Sequence, residues 1–202
     1  MRKVVLQFWI SLDGYSVDED TELWQVMEQI DDPDQQEYLL NRLREAGTHI
    51  MGRVTYQGMA KTWPTSDHSF AGPMNDIPKV VFSKTLQSAD WPQTRIARGD
   101  IAEEIAKLKA EPGGEIVAHG GTQFAQSLIQ SGLVDEYRLW VLPAAAGQGA
   151  PLFTASAHPP ALHLLSSTAF PSGILQLVYS PVARQELPLH QSSVNPQPDL
   201  SP

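Results

Sequence analysis

The sequence predicts an α/β fold built on a central mixed sheet, parallel at its centre and antiparallel at one edge, with helices on both faces. Three observations lead there. Short runs rich in Val, Ile and Phe alternate with helical patterns from the start of the chain to Gly132, as parallel strands joined by crossover helices require. After Gly132 three strand patterns follow one another without a helix, so those strands are expected to pair antiparallel. Between the two regimes, from Glu115 to Leu128, β-forming residues and His119 meet the double glycine Gly120-Gly121 and then a helix with Phe124, Ala125, Leu128 and Ile129 on one face.

Taken in order, Lys3 to Ile10 form the first strand, which ends at Ser11-Leu12-Asp13-Gly14. This segment reads as a strand rather than a signal peptide, because its apolar part breaks at Ser11 and Asp13. A polar loop is expected to Ile30. Asp32 then caps a helix, with Pro33 at its first position, Leu39, Leu40 and Leu43 as the buried stripe and Gly47 as the stop. Thr48 to Met51 is a short strand, and Gly52-Arg53-Val54-Thr55-Tyr56 opens a helix that ends by Trp63-Pro64. Pro64 to Pro78 is expected to be a surface loop. Strands follow at Lys79 to Ser83 and Thr94 to Ala97, then a helix capped by Asp100 and ended by Pro112-Gly113-Gly114. Beyond the organising stretch, Glu136 to Leu142, Leu162 to Thr168 and Ile174 to Tyr179 are the late strands, the last two joined through Pro171-Ser172-Gly173. Trp140 and Tyr179 on these strands are candidates for pairing subunits.

Composition narrows the function. At 42% hydrophobic and 18% charged residues the bulk is globular, and the simplest division is one domain over residues 1–183 with a disordered tail over 184–202. That tail, from Arg184 to Pro202, carries four prolines and no aromatic residue. There is no cysteine, which removes disulfides, thiolate metal sites and cysteine nucleophiles and fits a cytoplasmic protein. A net charge of −9 argues against a nucleic-acid partner. No apolar run reaches the roughly 20 residues that span a bilayer. The stretch from Asp13 to Glu37 holds ten carboxylates and no Lys or Arg, the pattern of a solvated face.

Ligands of open α/β sheets bind beyond the carboxyl ends of the parallel strands. Three turns there carry suitable chemistry: Gly52-Arg53-Val54-Thr55, Ser83-Lys84-Thr85 and His119-Gly120-Gly121-Thr122. Paired glycines let another group approach the backbone, and a helix N-terminus behind them suits a phosphate. Arg53 and Lys84 could hold an additional phosphate, with Arg98 as a third candidate. His119 fits either a core histidine or a proton donor. Competing motifs are missing: Gly147 and Gly149 form the only Gly-x-Gly and lack the third glycine of a dinucleotide fingerprint. His158 and His163 have no third ligand nearby, and no metal is expected.

Together these residues resemble the dihydrofolate-reductase-like superfamily, and most closely the reductase domain of bifunctional riboflavin-biosynthesis enzymes, the RibD C-terminal domain. The resemblance runs from the first strand to about Val182. It rests on Ser11-Leu12-Asp13-Gly14, Met51-Gly52-Arg53-Val54-Thr55-Tyr56, Lys79-Val80-Val81-Phe82-Ser83, His119-Gly120-Gly121-Thr122, Leu133-Val134-Asp135-Glu136 and Gly147-Gln148-Gly149-Ala150-Pro151-Leu152-Phe153. It implies the three-layer dihydrofolate-reductase-like fold, a homodimer, and an NADPH-dependent oxidoreductase reducing a C=N or C=O bond of a pterin-like or pyrimidine-like heterocycle to the CH-NH or CH-OH group. By position it implies that Gly52, Arg53 and Thr55 start the first phosphate-binding helix, that Ser83 and Lys84 contact the adenosine 2′-phosphate, and that Gly120, Gly121, Thr122 and Gln123 form the pyrophosphate turn. Asp13 then lies where nicotinamide and substrate meet and is the candidate catalytic residue. The chain departs from the family at His119, where the riboflavin-pathway reductases carry an acidic residue. The first-helix carboxylate of dihydrofolate reductases has no aligned counterpart, since Glu28, Asp31 and Asp34 fall in a stretch of different length. The alternative reading is a nucleotide- or ligand-binding protein on the same fold without turnover.

Overall fold

The computed structural model describes residues 1–18, 21–155 and 160–182. The expected tail over 184–202, and His158, lie outside the described residues. Within them the chain runs β1 (Val4–Ile10), α1 (Glu22–Glu28), α2 (Pro33–Arg44), β2 (Ala46–Gly52), α3 (Arg53–Thr62), α4 (Ala71–Asp76), β3 (Lys79–Phe82), β4 (Thr94–Ala97), α5 (Ile101–Ala110), β5 (Glu115–His119), α6 (Thr122–Gln130), β6 (Glu136–Val141), β7 (Ala161–Ala169) and β8 (Leu175–Val182).

One sheet takes all eight strands in the order β4-β3-β2-β5-β1-β6-β8-β7. From β4 through β6 neighbouring strands are parallel, while β8 is antiparallel to both β6 and β7. The mixed sheet read from the sequence is therefore present, with its antiparallel edge formed by the late strands. Alternate side chains of each strand face opposite sides. On one side Leu6, Phe8, Ile50, Ile116 and Ala118 pack against Ile105 and Leu108 of α5 and against Phe124, Ala125 and Leu128 of α6. On the other, Met51, Val81, Trp140 and Leu142 pack against Leu23 of α1, Leu39 and Leu43 of α2, Tyr56 of α3 and Met74 of α4. Each fully buried aliphatic side chain contributes about 1.5–3 kcal/mol, so the sheet is fixed from both faces.

Three local expectations need correction. The loop before Ile30 contains α1, capped by the Thr21 hydroxyl and anchored by buried Leu23. The stretch from Pro64 to Pro78 contains α4 and is preceded by a 3₁₀ turn at Trp63–Thr65. Gly47 does not stop a helix: α2 ends at Arg44 and Gly47 lies inside β2.

What holds the short α4 is tertiary. Lys79, 1% exposed, donates from Nζ to the carbonyls of Met74 (3.0 Å), Asn75 (2.7 Å) and Ile77 (2.8 Å). Its ammonium also lies 4.6 Å from the centroid of the Trp91 ring. One buried cation thus satisfies carbonyls that a six-residue helix leaves open. Burial lowers the Lys79 pKa to about 8. Lys79→Met is expected to leave these carbonyls unpaired and to cost about 2–4 kcal/mol, read as a lower urea midpoint with an unchanged slope.

Candidate functional site

The chain leaves β1 towards β2 through α1 and α2 on one face of the sheet, and leaves β5 towards β6 through α6 on the other. Because β1 and β5 are neighbours, their carboxyl ends form a topological switch point, where open α/β sheets bind ligands. His119-Gly120-Gly121 follows β5 there, Ser11 to Asp13 follow β1, and Gly52 ends the adjoining β2.

Two helices begin at this place, and both are built differently from the rest. Thr21, Asp32 and Asp100 cap α1, α2 and α5, each side chain accepting a first-turn N–H. Among the described helices only α3 and α6 have glycine at the cap, Gly52 and Gly121, and neither has a side-chain cap bond. Their first-turn N–H groups are left for another acceptor, with the positive ends of the helix dipoles behind them.

The glycines are required by proximity. A Cβ on Gly121 would lie 2.8 Å from the Thr55 hydroxyl, and its φ of +79° already disfavours other residues. A Cβ on Gly52 would lie 3.2 Å from Cβ of Phe124. The start of α3 therefore packs on the turn before α6, and a side chain at either glycine would fill the space between them.

The flanking loop ends supply cations. Gly52 is the register partner of Phe82, so Arg53 and Ser83 leave neighbouring strands side by side. Arg53 is exposed and among the described residues its side chain bonds to Gln57 alone, at 3.0 Å, while Lys84 is exposed. The ion pairs among the described residues involve neither. The Ser83 hydroxyl accepts the N–H groups of Thr85 (3.2 Å) and Leu86 (2.9 Å), shaping the loop. Arg98 is used locally, bracing that loop through the carbonyls of Leu86 (2.6 Å) and Lys84 (3.5 Å). Gln123 is exposed on the first turn of α6. Buried Thr122 donates its hydroxyl to Asp18 at 2.9 Å, so of its donors only the backbone N–H faces no side-chain cap.

Asp13 follows the carboxyl end of β1 and is held there by three hydrogen bonds. Its carboxylate accepts the Ser11 hydroxyl (2.6 Å) and the N–H groups of Ala146 (2.9 Å) and Gly147 (2.8 Å). These bonds, the Ser11 hydroxyl first, lower its pKa to about 2. The carboxylate thereby ties the loop after β1 to the loop after β6.

The histidine pair was not legible in the sequence, because His49 and His119 lie 70 positions apart. His119 Nε2 and His49 Nδ1 are 2.8 Å apart, and His49 Nε2 is 3.2 Å from the Pro73 carbonyl. That carbonyl can only accept, so His49 carries its proton on Nε2, and its Nδ1 accepts a hydrogen bond from the Nε2–H of His119. Both rings are buried and neutral, and His119 is thus a satisfied core histidine beneath the glycine turn. No group of three or more metal-binding side chains occurs among the described residues, nor any helix long and apolar enough to cross a membrane.

The eight-stranded order, the switch point at β1 and β5, and the glycine-capped helix starts define the dihydrofolate-reductase-like fold. A Shewanella sp. PV-4 protein provisionally assigned to riboflavin biosynthesis has the same fold, with a TM-score of 0.72 at 22% identity over 91% of this chain and 100% of that one. The Enterococcus faecalis dihydrofolate reductase solved with NADP(H) matches with a TM-score of 0.61 at 13% identity, covering 90% of this chain and 97% of that one. The family model of the RibD C-terminal domain matches residues 2–176, and the chain belongs to that family. A relative in Bacillus subtilis (strain 168), the uncharacterized protein YyaP, is 31% identical over 184 residues, 88% of this chain and 94% of its own length.

Acidification should loosen this centre. Burial lowers the His49 pKa from 6.5 to about 4, so the unfolded chain takes up a proton that the folded one refuses. The contribution is complete above pH 6.5 and is lost as pH falls towards about 4, on the order of 3 kcal/mol. Urea midpoints measured between pH 7 and pH 4 should fall across that window, and His49→Gln should flatten the fall.

Proposed function

We propose that the protein is a cytoplasmic NADPH-dependent reductase that transfers hydride to a small pterin-like or pyrimidine-like heterocycle. The observation that carries this reading is the convergence of two glycine-capped helix starts at the switch point. Backbone N–H groups of the first turns of α3 and α6 are suited to the diphosphate, with Gly52, Thr55, Gly120, Gly121, Thr122 and Gln123 forming the cradle. Arg53, Ser83 and Lys84, side by side at the ends of β2 and β3, are suited to the 2′-phosphate, Arg53 by its fork and Lys84 as a point charge. The nicotinamide would supply the hydride. The chain orients it, and the Asp13 strap between the loops after β1 and β6 shapes the place where it meets the substrate.

Arg53→Ala is expected to weaken NADPH by about tenfold while leaving NADH nearly unchanged, a difference of ~1.4 kcal/mol. Gly121→Ala should weaken both through the contact with Thr55. Both follow from calorimetric titration of parent and variants; equal affinity for the two nucleotides in the parent would remove the 2′-phosphate assignment. A second reading, binding without turnover, draws on the missing counterpart of the first-helix carboxylate of dihydrofolate reductases, and sustained substrate-dependent oxidation of NADPH by the pure protein would exclude it.

The assembly belongs to the same proposal as a homodimer. Trp140 is fully buried and is not available to pair subunits, while Tyr179 is half-buried, packed against the inner cluster opposite Tyr137. The edge strand β7 is the better surface: His163 to Ser167 are all exposed, and Ala161–Ala169 contains no Lys, Arg, Asp, Glu or Pro. Such an edge invites pairing with an identical strand. Leu165, 50% exposed, when changed to Lys should convert a dimer to a monomer in light scattering.

A further inference from the structure

The start of α6 already has an anion beside it. Oδ2 of Asp18 accepts the hydroxyl of Thr122, the first residue of that helix, at 2.9 Å and the hydroxyl of Ser16 at 2.8 Å. Among the described residues no other carboxylate is hydrogen-bonded to this turn. The caps of α1, α2 and α5 come from the residue just before each helix, whereas the carboxylate at α6 comes from 104 positions away.

Asp18 is half-buried, and its main chain is pinned on both sides. Just before it, the Ser16 N–H donates to the Ala150 carbonyl at 2.9 Å and the N–H of buried Val17 to the Trp9 carbonyl at 3.2 Å. Its own carbonyl accepts the N–H (2.9 Å) and the hydroxyl (2.6 Å) of Thr21, the residue that caps α1. The carboxylate is therefore held in place by its surroundings, and it leaves Thr122 by rotation of its side chain.

What it does there follows from charge. A carboxylate at a helix start is stabilised by the helix dipole, so in the free protein Asp18 supplies the negative charge that this end of α6 favours. Because it bonds the Thr122 hydroxyl and no main-chain N–H, the first-turn N–H groups stay open while the charge next to them stays negative. A dianionic diphosphate meeting the same turn is drawn by those N–H groups and repelled by the fixed like charge beside them. We propose that Asp18 is an internal competitor of the phosphate-bearing ligand, an affinity-setting residue that holds down diphosphate binding at α6 until its carboxylate turns away from Thr122. Ligand entry then frees the Thr122 hydroxyl for the diphosphate. The identity of the nucleotide rests on the reductase reading; the competition between anions does not.

Inorganic pyrophosphate and NADPH are titrated by calorimetry into the parent and into Asp18→Asn, which keeps an oxygen able to accept the two hydroxyls and removes the charge. Asp18→Asn is expected to bind both about tenfold more tightly at low salt, with the gain shrinking as KCl is raised to about 0.5 M. Without ligand the same variant should melt at a lower temperature, because the helix start has lost its anion. Tighter binding by a less stable free protein is the signature of competition, whereas replacing a residue that only braced the cradle would lower both. Weaker or unchanged pyrophosphate binding in Asp18→Asn overturns the proposal, and so does a gain indifferent to salt. If pyrophosphate behaves as expected while NADPH binds neither protein, the competitor role stands and the reductase reading falls. If neither ligand binds either protein, the start of α6 is no anion site and both fall.

Discussion

The structure depends on bringing two helix starts together at the carboxyl ends of β2 and β5 without a side chain between them. Gly52 touches Phe124 and Gly121 touches Thr55 at distances that exclude a Cβ or force a neighbour to shift. That constraint orders much else. It sets how closely α3 on one face and α6 on the other approach the sheet's end, and it leaves first-turn N–H groups without internal acceptors. A helix start left open in this way costs stability unless water or an anion completes it.

The surroundings are stiffened to hold that opening. Below the glycine turn the neutral pair His119 and His49 links β5 through β2 to the Pro73 carbonyl, and Lys79 fixes the end of the same α4. At the other end of the sheet Arg138, 3% exposed, binds Glu136 and Glu115 at 2.8 Å, joining the starts of β5 and β6. The loops after β1 and β6 are strapped by Asp13 and their backbone bonds, among them Leu12 N–H to Ala144 O at 2.8 Å. Charge is used structurally within the sheet, whereas Arg53 and Lys84 at the rim remain available to solvent.

Face assignment divides the work further. The α5–α6 face is largely aliphatic, with Phe8, Phe124 and Tyr137 among its buried residues. The α1–α4 face gathers Trp9, Trp140, Phe170, Tyr38, Trp91 and Tyr56, with polar groups among the rings. Both faces thus stabilise the fold, the α1–α4 face with the larger share of aromatic rings.

By itself the sequence determined the strands, the helices capped by Asp32 and Asp100, the antiparallel late strands and the three glycine- or serine-containing turns. Each of these is a local consequence of hydrophobic period, cap chemistry or glycine. Tertiary structure decided the rest. α4 exists because Lys79, outside it, satisfies its carbonyls; Asp13 becomes a strap because Ala146 and Gly147 fold back onto it. His119 is a core residue because His49 faces it, and Trp140 is buried because α2 and the β7–β8 turn cover it. In every such case the deciding partner is distant in the chain or supplied by another element, and the energy of a contact that only folding creates leaves no period or spacing to read.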